Sequence, residues 1–552
     1  MREIINLHLG QAGVQIGNAV WELLCIEHGV DHDGFISQDT RKNESLEPFF
    51  TVSSAEKLTP KTIFIDLEPI VIDEIRSGSY RNLFHPNRLI TGAEDASNNF
   101  ARGFFTIGKL LIATVNKEIR KLVEICDHVH AIMLFRSLGG GTGSGFTSSV
   151  FDFLAEYPNT SKIEVIVYPS STQQSSTVEP YNSLLAQHFA MEEIDVGILV
   201  ENESLYSISF KKLKQAYIPY VAINRIIAQI CSNMTASLRF ENTVTSDLSI
   251  LQNNIVPYPR IHFPMCSYSP ILSESTKIHE SLSVSEITQS LFDSDNQLIS
   301  LDHSFGKLMS CSINYRGDIS PLDIYKALSK IKNNKLIQFV DWCPTGFKVG
   351  INLCPPSTVP ESGMSSVPRN GILLTNTSAI GKVWERLTVK FSHLYSKKAF
   401  IHWFVEEGLE EFEFTEAMNN ISSLVKDYEE IVVETNTTNA SNIMQVESNR
   451  SHKSKESENP KSNPKKRDML AFRKLIEKKR KENLTKFITN DFKIRQWGNK
   501  EEKLFEILKK SFRTKEYNYK ISSSNNKVLK IKCQKGNHKN IAKFAKRKLN
   551  EK

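Results

Sequence analysis

The 552 residues allow about two to four domains, and 40% hydrophobic with 24% charged residues is the composition of an ordinary soluble globular protein. A formal net charge of +7 conceals a split: residues 451–552 carry 32 Lys and Arg against 11 Asp and Glu, leaving 37 basic and 51 acidic residues in 1–450, an acidic body joined to a basic tail. Eight cysteines scattered singly, without a CxxC, argue against zinc ligation and a disulfide framework; with no signal peptide and no apolar run long enough to span a bilayer, the expected location is the cytoplasm or nucleus.

In chain order, Glu3 to Leu9 alternates into a strand, and Gly10-Gln11-Ala12-Gly13 turns it into a helix running through Trp21 to Leu24. Ile63 to Glu68 is the next strand. Ala131 to Phe135 is a buried strand, Gly139-Gly140-Gly141-Thr142-Gly143-Ser144-Gly145 follows, and Thr147 to Leu154 starts a helix. Five glycines in these seven residues build either a backbone phosphate cradle or a flexible linker. The flanking strand and helix favour the cradle, because a helix N-terminus points free N–H groups at an anion and glycine lets the backbone approach it. Thr142 and Ser144 offer hydroxyl donors. No Lys follows as in a Walker P-loop, and the spacing is not GxGxxG. With Ile163 to Tyr168 as another buried strand, the repeated strand, loop and helix units predict a parallel, doubly wound α/β sheet.

The 139–145 segment resembles the signature of the tubulin family. Met1 to Ile4, Gly10 to Gly17, Val256 to Phe263 and Phe339 to Lys348 stand in that family's order, over about residues 1–433. The wording Ala12-Gly13-Val14 and the long segment Ser357 to Ile372 resemble its α-type members. The resemblance implies GTP with Mg2+ as ligands. Gln11, Asp95, Ala96, Ser97 and Asn98, together with Gly140, Gly141, Thr142, Gly143 and Ser144, would hold the phosphates; Ser97 replaces a usual alanine. Asp66 and Glu68 would lie near the metal, as suits a hard cation bound partly through water. Glu179 would accept from ribose hydroxyls, and Ser175 would contact the nucleotide. Asn202 and Asn224 would read the guanine edge with paired donors and acceptors, and Tyr220 would stack on the ring. Taken alone, Asp-Leu-Glu is a solvated strand end and a lone Asn a turn residue; the shared register decides.

Departures from that pattern carry consequences. Where the family's helix presents a glutamate to the GTP of the next β-tubulin, Asp247-Leu248-Ser249-Ile250 holds Ile250, which neither accepts nor donates a proton, and Asp247 is displaced by three residues along the helix. The alternative is that Ile250 only packs in an interface tolerant of either residue. His279 stands at the lateral loop, beside Ile278 in place of a tyrosine. Thr40 takes the place of an acetylatable lysine. Asn419, Asn420 and Val425 replace acidic residues on the face that motors read, and the short glutamate-rich tail is missing.

Thr435 to Pro464 is polar and reads as a linker. Beyond it, apolar residues at near-helical spacing among lysines (Met469, Phe472, Ile476; Leu484, Phe487, Ile488; Leu504, Leu508, Phe512) suggest basic amphipathic helices. They form either a small domain with solvated lysines or an arm for acidic tubulin tails, nucleic acid or acidic membrane. No RNA-binding signature accompanies the tail's aromatics.

The expected organisation is a doubly wound GTP-binding domain over 1–203, a second mixed α/β domain over 204–375, a C-terminal helical region over 376–434, a linker over 435–464 and a basic, partly helical or disordered extension over 465–552. The resemblance implies a GTP-binding structural subunit of microtubules that pairs with β-tubulin and touches neighbouring tubulins laterally, with weakened stimulation of GTP hydrolysis. Two alternatives stand beside it: a non-polymerising GTP-binding module tethered by its tail to nucleic acid or a ciliary structure, and a self-activating GTPase that forms homopolymers.

Overall fold

The computed structural model describes residues 2–36, 45–53, 56–170, 175–215, 217–244, 247–277, 282–301, 306–332, 337–343, 346–360, 362–450, 519–524 and 528–533, with 433–450 and the last two segments as backbone. Ile278 and His279, Thr40, and the apolar series from 469 to 512 lie outside these residues.

The chain opens with β1 (Glu3–Leu9) and α1 (Gly10–Glu27), then a hairpin of β2 (Phe50–Val52) and β3 (Leu58–Pro60). Next come β4 (Thr62–Asp66), α2 (Pro69–Ser77), β5 (Leu89–Thr91), α3 (Ile107–Ile125), β6 (Val129–Ser137), α4 (Thr147–Leu154), β7 (Ser161–Tyr168), α5 (Glu179–Ala190) and β8 (Val196–Glu201). The six longer-range strands form one parallel sheet in the order β5-β4-β1-β6-β7-β8. Successive side chains of a strand face opposite sides, so helices on both faces demand apolar residues at every position. The central strands meet that demand. Ile5, Leu7, Ile63, Ile65, Ile132 and Leu134 join the core beneath α3 and α4, while Ile4, Phe64, Met133 and Phe135 join the core that holds Trp21 and Leu24 of α1 and Ile72 of α2. His8 is tolerated there as a neutral ring: it stacks between Phe64 and Phe135 and accepts from Trp21 Nε1 at 3.3 Å, and burial pushes its pKa down to about 3.

α6 (Asn202–Ile208) and α7 (Tyr220–Arg239) lead to a second sheet. Its surroundings are β9 (Asn242–Val244), α8 (Leu248–Ile255), β10 (Met265–Ser269), α9 (Glu274–Lys277), α10 (Val284–Ser290), β11 (Leu308–Gly317), α11 (Pro321–Lys332), β12 (Phe347–Asn352) and β13 (Arg369–Thr377). The strand order is β10-β13-β11-β12-β9, with only β11 and β12 parallel, so this sheet is mixed as expected. A buried charge cluster ties it to the first: Glu27 of α1 accepts from Arg239 of α7 at 2.7 Å, Arg316 of β11 at 2.8 Å and Ser232 at 2.6 Å.

α12 (Gly381–Tyr395), α13 (Ile401–Glu406) and α14 (Glu411–Arg450) complete the body. Ala417, Ile421, Leu424, Tyr428 and Ile431 of α14, three or four residues apart, make the buried stripe that packs on α5 and α12. The helix continues to Arg450, past residue 435 where the sequence reading began a linker. Asn420 and Val425 are half-buried, and Asn420 accepts from Arg260 at 2.9 Å, so of the three altered positions Asn419 alone is exposed.

Residues 451–552 form a separate unit. Its described part is a hairpin of β14 (Tyr519–Ser524) and β15 (Val528–Cys533), in register Tyr519↔Cys533 to Ser524↔Val528. The sequence reading sought helices in this region and missed the alternation of Val528 to Cys533.

Candidate nucleotide site

Numbered within itself, the first sheet has the strand order 3-2-1-4-5-6, whose direction of winding reverses between β1 and β6. Ligands of such sheets bind outside the carboxyl ends of the strands at that reversal. Gln11 follows β1 and the glycine loop follows β6, so the fold alone marks these two segments.

Gly10 takes the left-handed φ of +71°, turning the chain from β1 into α1, and a Cβ on it would lie 3.1 Å from Gly143 N. Gln11, exposed, therefore stands beside the glycine loop. The loop following β5 reaches the same place from the other side: a Cβ on Gly141 would approach Ala96 Cβ to 2.6 Å and Asn99 N to 2.9 Å, an approach only glycine permits. Ser97 and Asn98 both adopt left-handed φ, 51° and 54°, and are exposed with Asp95. Gly140 stays open, its nearest neighbours being Ser137 Oγ at 3.8 Å and Asn98 Oδ1 at 4.0 Å from a built Cβ. Backbone N–H groups and short polar side chains thus surround one small space, a cradle for an anion. Thr142 through Phe146 forms a wide π turn at the start of α4, and Arg102 through Thr106 another before α3. Ser144 differs from the expectation: its hydroxyl is fully buried and donates to Gly140 O, bracing the loop from inside.

Asp66, at the end of β4, is buried with the Thr142 side chain beside it. Burial pushes its pKa up to about 7, and the neighbouring Asp95 carboxylate adds to the rise. A carboxylate so deprived of water gains most from a nearby hard cation, and Mg2+ takes one or two carboxylates with phosphate oxygens and water. The residues present fit that ion. Among the described residues no group of three or more His, Cys, Asp or Glu could hold a metal by itself, so the ion would depend on the phosphates.

Glu179 opens α5 beside the glycine loop. Its carboxylate accepts from Ser175 N at 3.2 Å and Ser175 Oγ at 3.4 Å, so Ser175 orients the carboxylate, and burial raises its pKa. A Cβ on Gly139 would meet Glu179 Oε1 at 2.6 Å, so glycine loop and carboxylate touch. Asn202 starts α6 directly after β8, on the same sheet edge, and Tyr220 and Asn224 sit in the first turns of α7. α7 packs along α1, where Arg225 pairs with Glu22 at 3.1 Å, and Tyr206 of α6 meets Tyr220 edge to face at 6.3 Å. The residues expected to read the base thus lie at the starts of α6 and α7, with Asn224 buried and Tyr220 exposed.

Sequence reasoning named Asn182 only as part of the 178–182 helix start and gave it no role, whereas its buried amide fastens the loops after β5 and β6; nothing in a single polar residue announces what it bonds. It also missed that α13 borders the cradle. Asn99 Nδ2 donates to Trp403 O at 3.0 Å, and Trp403 and Phe400 are exposed; around the start of α7, Tyr217, Tyr220 and Val221 are exposed as well.

The position held by Ile250 is far along the chain from this cradle. Asp247, the residue before α8, is buried and ion-paired with Arg2, while Ile250 is half-buried one turn on. The Asp247 carboxylate is committed to Arg2.

A parallel sheet of this order with a glycine cradle beside its switch point and a buried carboxylate at the end of β4 is a nucleotide-binding arrangement. Residues 3–210 match the family model described as Tubulin/FtsZ family, GTPase domain, and 259–389 match the Tubulin C-terminal domain. The chain is 49% identical over 438 residues to the tubulin alpha-2 chain of Caenorhabditis elegans, covering 79% of this chain and 98% of that one. It belongs to the tubulin family and is an α-tubulin-like member of it, a GTP-binding protein of the microtubule cytoskeleton.

Proposed function

We propose that the chain is a structural subunit that holds GTP with Mg2+ in the cradle, pairs with β-tubulin across its exposed aromatic residues, and stimulates hydrolysis poorly at the joint it makes through α8. The convergence of Gln11, residues 95–98, the glycine loop and Glu179 at one sheet edge is the observation that carries the nucleotide reading. In it, backbone N–H groups and Asn98 bind the phosphates, Glu179 accepts from ribose hydroxyls, and Asn202 and Asn224 pair with the guanine edge beneath Tyr220. Asp66 and Glu68 would hold the ion, which neutralises phosphate charge when bound.

Trp403, Phe400, Tyr217, Tyr220 and Val221 support pairing, since exposed aromatic surface beside a polar site suits a partner that buries it. Poor stimulation rests on Ile250 and on Asp247. An aliphatic side chain cannot position water, and the carboxylate of Asp247, just before α8, is engaged by Arg2. The basic 465–552 extension reads as an arm for acidic tubulin tails. Mixing the full chain with purified β-tubulin under polymerising conditions and sedimenting the product tests the pairing: it should enter the pellet at a constant ratio to β-tubulin. Persistence in the supernatant, with nucleotide bound, would instead favour the non-polymerising module.

A further inference from the structure

The amide of Asn182 is fully buried and makes three hydrogen bonds, using both of its donors. Its Nδ2 donates to Asn98 O at 2.6 Å and to Gly139 O at 2.9 Å, and its Oδ1 accepts from Phe100 N at 3.0 Å. Asn98 and Phe100 belong to the loop after β5; Gly139 begins the loop after β6. One side chain therefore bonds to both loops, which also touch each other where Gly141 packs against Ala96 and Asn99.

Two further facts give this latch a direction. Asn182 lies three residues after Glu179 in the first turn of α5, so both side chains leave the same helix face. Both also reach Gly139, whose carbonyl takes the amide proton and whose Cα crowds the Glu179 carboxylate. Meanwhile Ser97 and Asn98 hold left-handed φ values that polar L-residues adopt at a cost, and the bond to Asn98 O is what restrains that turn.

We infer that Asn182 is a positioning residue that couples the ribose carboxylate to both phosphate loops, so that phosphate recognition depends on it although it touches no phosphate. The inference rests on the GTP reading above. It goes beyond that reading because a side chain serving stability alone would support every nucleotide equally, whereas a latch between phosphate loops acts on those ligands that fill both.

The test uses the full-length chain stripped of nucleotide and compares dissociation constants for GTP, GDP and GMP in wild type, Asn182→Leu and Asn182→Asp. Leucine keeps the volume and removes all three bonds; aspartate keeps the acceptor for Phe100 N and loses both donations. GTP affinity should fall about 10- to 100-fold in both variants, as the loss of buried hydrogen bonds implies, while GMP affinity changes less than about threefold. Should the leucine variant fail to fold, the aspartate variant decides. Equal losses for GTP and GMP, or no change in either, would overturn the inference and leave the GTP reading standing. A wild-type chain that binds none of the three would overturn both.

Discussion

Replacing Glu27 with Gln should destabilise the body more than any other single polar change near α1, and the structure sets the size. Glu27, Arg239 and Arg316 are each at most 1% exposed, so no water compensates for a missing charge. Burial alone would raise the Glu27 pKa, but the Arg316 and Arg239 guanidiniums outweigh it and hold the carboxyl down to about 2. Glutamine retains the volume and one acceptor yet leaves two buried guanidiniums unpaired, a situation that typically costs about 3–5 kcal/mol. With an unfolding entropy near 2.1 cal/mol/K per residue, spread over the body, that corresponds to a drop in Tm of roughly 4 °C. The control is Glu22→Gln, which breaks the pair with Arg225, 18% and 25% exposed, where water still reaches the charges; it should cost clearly less than Glu27→Gln. The same argument fixes a pH dependence. The folded pKa of Glu27 lies below the unfolded one, so its contribution is present above the ordinary glutamate range and is lost as pH falls toward about 2. Thermal melts of wild type and both variants between neutral and acid pH would read this. Equal shifts for Glu27→Gln and Glu22→Gln would refute the reasoning.

The other expectations concern the ligands. Asn202→Ala together with Asn224→Ala should empty the nucleotide site, each lost polar partner costing roughly 1–3 kcal/mol; copurifying nucleotide, measured by chromatography of the denatured protein, should disappear, and retention of a full equivalent would contradict the base assignment. Deleting 465–552 should abolish binding to a glutamate-rich peptide, and in the intact chain that binding should weaken steeply from low to physiological salt; binding indifferent to salt would point to a specific pocket instead.

How much of this was legible beforehand depends on the range over which each signal acts. The strands of the first sheet are short apolar runs, and the helix start read at Thr147 to Leu154 falls on α4. Local periodicity is enough for such elements. The cradle was likewise legible, since glycine density reflects how closely Ala96 and Gly143 approach their neighbours. Interactions that join distant segments were not. Asn182 with Gly139, Asp247 with Arg2 and Asn99 with Trp403 each span many residues, and a single sequence holds no trace of which side chains meet. Ser144 shows the same limit at short range: its composition suits a phosphate donor, but the π turn aims its hydroxyl at Gly140. At the far end, the run past residue 435 lacks the apolar stripe that marks α14 up to Ile431, so its helical course was not visible in the pattern.

The measurement closest to the central claim is phosphate release during copolymerisation with β-tubulin, comparing the wild-type chain with Ile250→Glu. If α8 meets the β-tubulin nucleotide without a carboxylate to position water, release should lag assembly by about 10²–10⁴-fold relative to the glutamate variant, in proportion to what general acid and base groups ordinarily contribute. Equal rates in the two polymers would show that another group orients the water and would contradict the account.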